Sequence, residues 1–397
     1  MSNHLGPTTV GERIHSLDLL RGFALLGILI MNIVSFGHIG TAYINPNIGP
    51  GLEGYNGAVY AFSHIFADMR FMGLFSLLFG AGLVLFSERA IIKGHKPGKY
   101  HYRRMFFLLI FGLLHAYLIW MGDILVTYAL CGSLIFLIRK WKIKNLLILG
   151  SFLWLLPITL GTLTYLASSP EVQERVFSFF YPEEVEIQKE IAGYRGSYMQ
   201  QMPFRIQGAI ELQTFVFLYE QVWRACGMMI LGIILYRTGV LTRKKSRAFY
   251  IRSIIIGFGV GILLSSIGYY RSFQNEWNGA WVMNVGHSYN YLASVFMVMG
   301  YVGLFLLWSA SSSFRWIKNK TEAVGRMAFT NYILTSVLCT FVFYGHGLGL
   351  FGSLDRLEMW GVILAVWIIL LIFSDQILKR YKQGPLEHLW RKLTYRI

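Results

Sequence analysis

Charge is scarce in this sequence, and acids are scarcer still. Only 14% of the 397 residues are charged, with 20 Asp and Glu against 36 Lys and Arg. Together with 55% hydrophobic residues and a mean hydropathy of +0.50, this excludes an ordinary soluble globule. Cysteine is almost absent. Cys131, Cys226 and Cys339 each sit inside a hydrophobic stretch, as packing residues rather than a disulfide frame or metal spacing. No CxxC or HxxxH spacing supports a metal site. There is no P-loop, no convincing dinucleotide fingerprint and no trustworthy Ser/His/Asp order. No internal repeat stands out, which counts mildly against an inverted-repeat transporter.

What the chain does have is a series of apolar runs of near spanning length. Ten are predicted, at about 17–38, 71–86, 105–121, 124–138, 146–166, 214–236, 250–270, 289–308, 327–344 and 359–377. The first is too long for a signal h-region and lacks an A-x-A site, so it reads as a span. The net charge of +16 could suggest nucleic acid, but the basic residues cluster between spans as the positive-inside rule expects. Loops around Arg89–Arg104, Arg139–Lys144, Arg237–Arg247 and Arg315–Arg326 are basic, and those between them are poor in Lys and Arg. The expected fold is an all-α polytopic bundle of about ten transmembrane helices with both termini cytoplasmic, in the cell membrane, probed by no nucleic acid. Three parts are expected: five spans over 1–166, an extracytoplasmic acidic segment over 167–213, and five spans over 214–397. Pro182 is expected at the first position of a helix with acids in its first turn. Residues 1–16 form a polar leader containing Arg13, and the tail from Gly384 reads as an amphipathic helix lying on the cytoplasmic leaflet.

The first span carries three groups that lipid would not welcome: Asp18, Arg21 and Asn32. Arg21 and Asn32 are three turns apart on one face, and Asp18 has ion-pair spacing to Arg21. Such a stripe faces a cavity as a functional feature, or else combines an interfacial anchor with helix–helix glue. His64 and Asp68 share a helix face at i,i+4, where a carboxylate raises an imidazole's basicity and fixes its tautomer. Asp123 follows Gly122 at the start of the fourth span, either as a functional acid or as an N-cap in a tight hairpin. His38, His115, His287 and His346 fall towards the same side. Arg70 and Arg224 must pair or line a wet cavity, with Glu220 placed to partner Arg224.

RIHSLDLLRGFALLGILIMNIVSFG (13–37), FSLLFGAGL (75–83) and RRMFFLLIFGLLHAYLIWMGDILVTYALCG (103–132) resemble one known family, as do GRMAFTNYILTS (325–336), GLGLFGSL (347–354) and GPLEHLWRKLTY (384–395). This is the YeiB-like family of uncharacterised multi-pass membrane proteins, also called domain of unknown function 418, and the match spans the chain. More distantly, the D-x-x-R-G opening is similar to that of the transmembrane acyltransferases, including heparan-α-glucosaminide N-acetyltransferase. Arg21 matches an essential Arg of the bacterial branch, but Asn32 stands where that branch has His. The heparan-type branch also has Asn there and resembles the chain at Ala67-Asp68.

That likeness implies transfer of an acyl group from cytoplasmic acyl-CoA, a co-substrate rather than a tightly bound cofactor, to an extracytoplasmic acceptor. Arg21, paired with Asp18, would receive the phosphates, and Asn32 would line the acyl path. His38 or His64, oriented by Asp68, would deprotonate the acceptor, with Asp123 a further catalytic candidate. The alternatives are a transporter or flippase with Arg21, Arg70, Arg224 and Asp123 along its path, or a non-catalytic scaffold using the acidic segment.

Overall fold

The computed structural model describes residues 14–395, so most of the polar leader, including Arg13, lies outside the described residues. Among the described residues every regular element is helical. Helix α1 (His15–Gly37) is followed by α2 (Tyr55–Phe66) and α3 (Arg70–Ile92), which are joined through Met69 in a left-handed conformation, φ 63°. Next come α4 (Pro97–Leu118), α5 (Leu125–Ile138) and α6 (Ile143–Ala167). Three shorter helices make up the acidic segment: α7 (Pro170–Phe180), α8 (Glu184–Arg195) and α9 (Tyr198–Glu211). α9 continues through a π-helical stretch, Leu212–Gln221, into α10 (Val222–Arg237). After α11 (Arg247–Gln274), the single turn α12 (Gly279–Trp281) passes through a second π-helical stretch, Val282–Gly286, into α13 (His287–Ala310). The chain ends with α14 (Arg315–Arg326), α15 (Ala328–Phe343), α16 (Arg356–Arg380) and α17 (Pro385–Tyr395).

Each predicted span coincides with a helix, but the helices are not equally suited to crossing. Among the described residues seven are long and apolar enough, or eight if α14 and α15, bent by 88° at their junction, count as one. α5 has only 14 residues, about 21 Å of helix. α4 carries Lys99, Arg103 and Arg104 in its first half. The run from Tyr198 to Arg237 is 40 residues, about 60 Å and twice a bilayer core, so half of it stands clear of any membrane its other half crosses.

α1 is the central element. Leu25, Leu29, Ile33 and Phe36 join a core with α4, α5, α15 and α16, while Leu20, Ala24 and Ile28 join a second core with α3, α10 and α13. Its most apolar stretch is 61% buried, against 22% for α6 and α11, which form the periphery. Gly22 and Gly325 let α1 and α14 touch: a Cβ on Gly22 would strike the Thr321 carbonyl, and one on Gly325 the Asp18 carbonyl.

The loops sort to two ends. At one end the acidic helices form a cap. Gly40 N–H donates to Glu190 (3.0 Å), Arg195 donates to the Phe351 carbonyl (2.7 Å), and Tyr198 donates to the Leu118 carbonyl (2.8 Å). At the other end lie the basic loops. There Trp390 Nε1 donates to the Arg104 carbonyl (3.0 Å), and Arg237 donates to the Trp141 carbonyl (2.6 Å). Two local expectations shift. Glu183, not Pro182, sits at the cap of α8, with Glu184 and Glu186 in the first turn. The tail helix α17 turns its apolar face to the protein, packing Leu386 and Trp390 on the core and leaving Leu389 exposed, because α4 and α15 offer a complementary groove.

Candidate functional site

Arg21 pairs with Asp18 at 3.0 Å, as their i,i+3 spacing requires, and lines a cavity of about 330 Å³ open towards the basic end. The cavity's outer part is cationic, with Arg21, Arg89, Lys93, Arg104, Arg326 and Arg391 on its walls. The Arg104 guanidinium is stacked between the Phe86 ring (4.6 Å) and the Trp390 ring (4.8 Å). Deeper, the walls become apolar at Phe79, Leu83, Leu108 and Phe75, and the inner end is formed by Ile124 and Tyr332. Along α3 the lining runs from Arg89 to Phe75, about 21 Å. α17 supplies one wall through Glu387, Trp390 and Arg391.

A smaller cavity of about 60 Å³ lies on the other side of α1, towards the capped end. Tyr43, Tyr60, His64, Asp68, Arg356 and Trp360 line it. The two cavities touch α1 at Ile28 and Ile30, so that helix is their shared wall. His64 Nδ1 is 3.6 Å from Asp68 Oδ2, an ion-pair distance rather than an aligned hydrogen bond. Asn290 Nδ2 donates to the same Asp68 oxygen at 2.8 Å. Arg70 is fully buried beneath, donating to the Asp68 carbonyl and to Ser265 Oγ, while Ser265 Oγ donates to Asn290 Oδ1 at 3.0 Å. The break between α2 and α3 therefore sets Asp68 and Arg70 against α11 and α13.

The two π-helical stretches face each other beside this cluster. Tyr219 donates to Asn284 Oδ1 at 2.9 Å. Glu220 sits between Arg224 (2.6 Å) and His287 (2.9 Å). The His287 contact is an ion pair without hydrogen-bond alignment. π-helical insertions recur at functional sites, since they re-aim side chains that a regular helix would point elsewhere.

The remaining candidates fall elsewhere. His38 is buried, with Nε2–H donating to the Leu354 carbonyl at 2.7 Å. Asn32 is half-buried and lines neither cavity. His346 Nδ1 lies 3.2 Å from Gln201 Oε1 under the cap, and burial and Arg205 lower its pKa. Asp123 is joined to His115: Nδ1–H donates to Asp123 Oδ1 at 2.8 Å, while Asp123 Oδ2 accepts from Val126 N–H at 2.8 Å. The N-cap role and the His partnership are thus filled by different oxygens of one carboxylate. Sequence reasoning noted both residues but not their pairing, since an i,i+8 spacing signals nothing unless the chain turns between them. It also had no signal for Asn290 and Ser265. Among the described residues no three of His, Cys, Asp and Glu converge as a metal set.

Comparison with known proteins bears on the whole chain. The family model described as "Protein of unknown function (DUF418)" matches residues 235–397. Uncharacterized protein YeiB of Escherichia coli (strain K12) is 33% identical over 391 residues, covering 97% of each chain. Uncharacterized protein YxaH of Bacillus subtilis (strain 168) is 30% identical, covering 98% of this chain and 96% of its own. No solved structure matches. With similarity running through the spans, the cap and the tail alike, the chain belongs to the YeiB-like family of membrane-spanning helical proteins.

Proposed function

We propose that the protein is a transmembrane acyltransferase that takes its acyl group from cytoplasmic acyl-CoA and delivers it to an extracytoplasmic hydroxyl or amine. The observation that carries this reading is the cavity behind Arg21, cationic at its mouth and apolar within. That gradient matches a donor with a phosphorylated nucleotide at one end and an acyl thioester at the other. Arg21, oriented by Asp18, would hold a phosphate there. The outer cavity, with His64 and Asp68 on its wall, would receive the acceptor. In this arrangement the basic end is cytoplasmic, as the positive-inside rule asks, with ten crossings and both termini inside the cell membrane. Binding of labelled acetyl-CoA to the protein in nanodiscs tests it. Saturable binding that is lost in Arg21→Ala is expected, and absence of binding up to millimolar ligand overturns it.

The breaks at Met69 and at the 88° bend between α14 and α15 favour a second reading, a transporter or flippase. Substrate uptake by reconstituted vesicles without acyl-CoA would establish that one instead.

A further inference from the structure

We infer that the transfer reaction is centred on the buried His115–Asp123 pair, which lies behind Tyr332 at the inner end of the cationic cavity, with His115 Nε2 as the general base. The inference rests on the acyltransferase reading and adds to it the reacting group and its place.

His115 and Asp123 are among the most enclosed ionisable side chains of the protein, 1% and 0% exposed. Asp123 accepts the Nδ1 proton, which assigns the tautomer and leaves Nε2 with a free lone pair. That Nε2 is buried with no partner. An unmet buried polar atom costs about 1–3 kcal/mol, and native structures retain few of them without a use. Trp120 Nε1, in the same hairpin, is likewise unmet, and the two rings are 6.4 Å apart. The pair thus carries unsatisfied polar atoms of the kind that a bound substrate group would complete.

Its position fits the donor. The Tyr332 ring forms the cavity's inner end and lies 5.0 Å from the His115 ring. The Tyr332 hydroxyl accepts from Ile124 N–H at 3.1 Å, fixing the partition between cavity and dyad. Along α3 the cavity runs about 21 Å from Arg89 to Phe75, so a donor with its phosphates at the cationic mouth extends its thioester towards Phe75, Ile124 and Tyr332. The acceptor side is also near. Phe36 stacks on Trp120 at 3.9 Å, and Ile33, one turn earlier on α1, lines the outer cavity. His64, in contrast, lies in the outer cavity across α1 from the donor.

The step balances without further reagents. The acceptor O–H or N–H proton moves to His115 Nε2 as the acceptor atom bonds to the thioester carbonyl carbon. The C–S bond then breaks, and the imidazolium returns the proton to the departing thiolate. Asp123 is a positioning residue that holds the tautomer and favours the transient imidazolium.

The test uses full-length protein in nanodiscs with acetyl-CoA, and with water or hydroxylamine as surrogate acceptor, reading release of the CoA thiol. His115→Gln is expected to leave the donor dissociation constant unchanged and to lower release about a hundredfold or more. Asp123→Asn is expected to lower kcat while leaving KM for acetyl-CoA unaltered, a split that a merely structural lesion does not produce. If His115→Gln fails to fold, the Asp123→Asn result decides. Release at the wild-type rate by a variant that still binds acetyl-CoA overturns the dyad and leaves the acyltransferase reading standing. Absence of acetyl-CoA binding by the wild type overturns both.

Discussion

At the scale of single residues, the buried charges of this protein are held by more than one kind of partner. Glu387 shows the pattern. Its Oε1 accepts from Phe329 N–H (2.8 Å) and Thr330 N–H (3.0 Å), and its Oε2 accepts from the Thr330 hydroxyl (2.5 Å). A carboxylate from the tail helix therefore caps α15, where the helix dipole favours negative charge. Glu387→Ala removes three charge-assisted hydrogen bonds and should lower stability by about 2 kcal/mol. Because Glu387 also lines the cationic cavity, where its charge opposes the donor's phosphates, donor binding should survive the loss of stability; a thermal melt with and without acetyl-CoA separates the two effects. Arg70 instead lies among neutral acceptors, the Asp68 carbonyl and Ser265, so its charge is left to stabilise the nearby Asp68 carboxylate.

Among the helices, the acidic cap is docked by groups that burial has made costly to ionise. Glu190 on α8 is half-buried against Gly40 N–H, and burial raises its carboxyl above the ordinary 4.5, with Glu211 adding to the shift against the hydrogen bond. An acid whose folded-state pKa is raised contributes fully below its unfolded value and loses that contribution as pH rises through the folded one. Glu190→Gln keeps an acceptor for Gly40 and removes the buried charge. Its melting temperature should exceed the wild type's at pH 7.5 and converge with it below pH 4.5. A lower melting temperature than the wild type's at pH 7.5, vanishing below pH 4.5, would mean that the carboxylate charge itself holds the cap. The capping boxes that start α9 (Ser197 with Gln200) and α16 (Asp355 with Glu358) fix the helix ends to which α8 is tied through Arg195 and Ser353.

For the whole molecule, sidedness is the property that any function across a bilayer requires. Glu186 on the cap and Lys382 on the basic end are both exposed, and the three native cysteines are buried. Glu186→Cys should react with an impermeant maleimide on intact cells, and Lys382→Cys only after permeabilisation; the opposite pattern would invert the proposed orientation.

Much of this plan was legible in the chain itself, because hydropathy and loop charge are sums over neighbouring residues. The helical class, the position of each apolar helix and the short-range pairs Asp18–Arg21, His64–Asp68 and Glu220–Arg224 follow from local spacing. Helix length and the bend at α14–α15 depend on packing, and for that reason three predicted spans, α4, α5 and α15, are too short or too charged to qualify alone. Tertiary structure alone decided that α1 lies between two cores, that α17 walls a cavity lined by residues as distant as Arg21 and Tyr395, and that Asn290 reaches Asp68. It also decided that His115 meets Asp123 across a hairpin. Those contacts join residues whose separation in sequence carries no periodicity, so only the folded chain can bring them together.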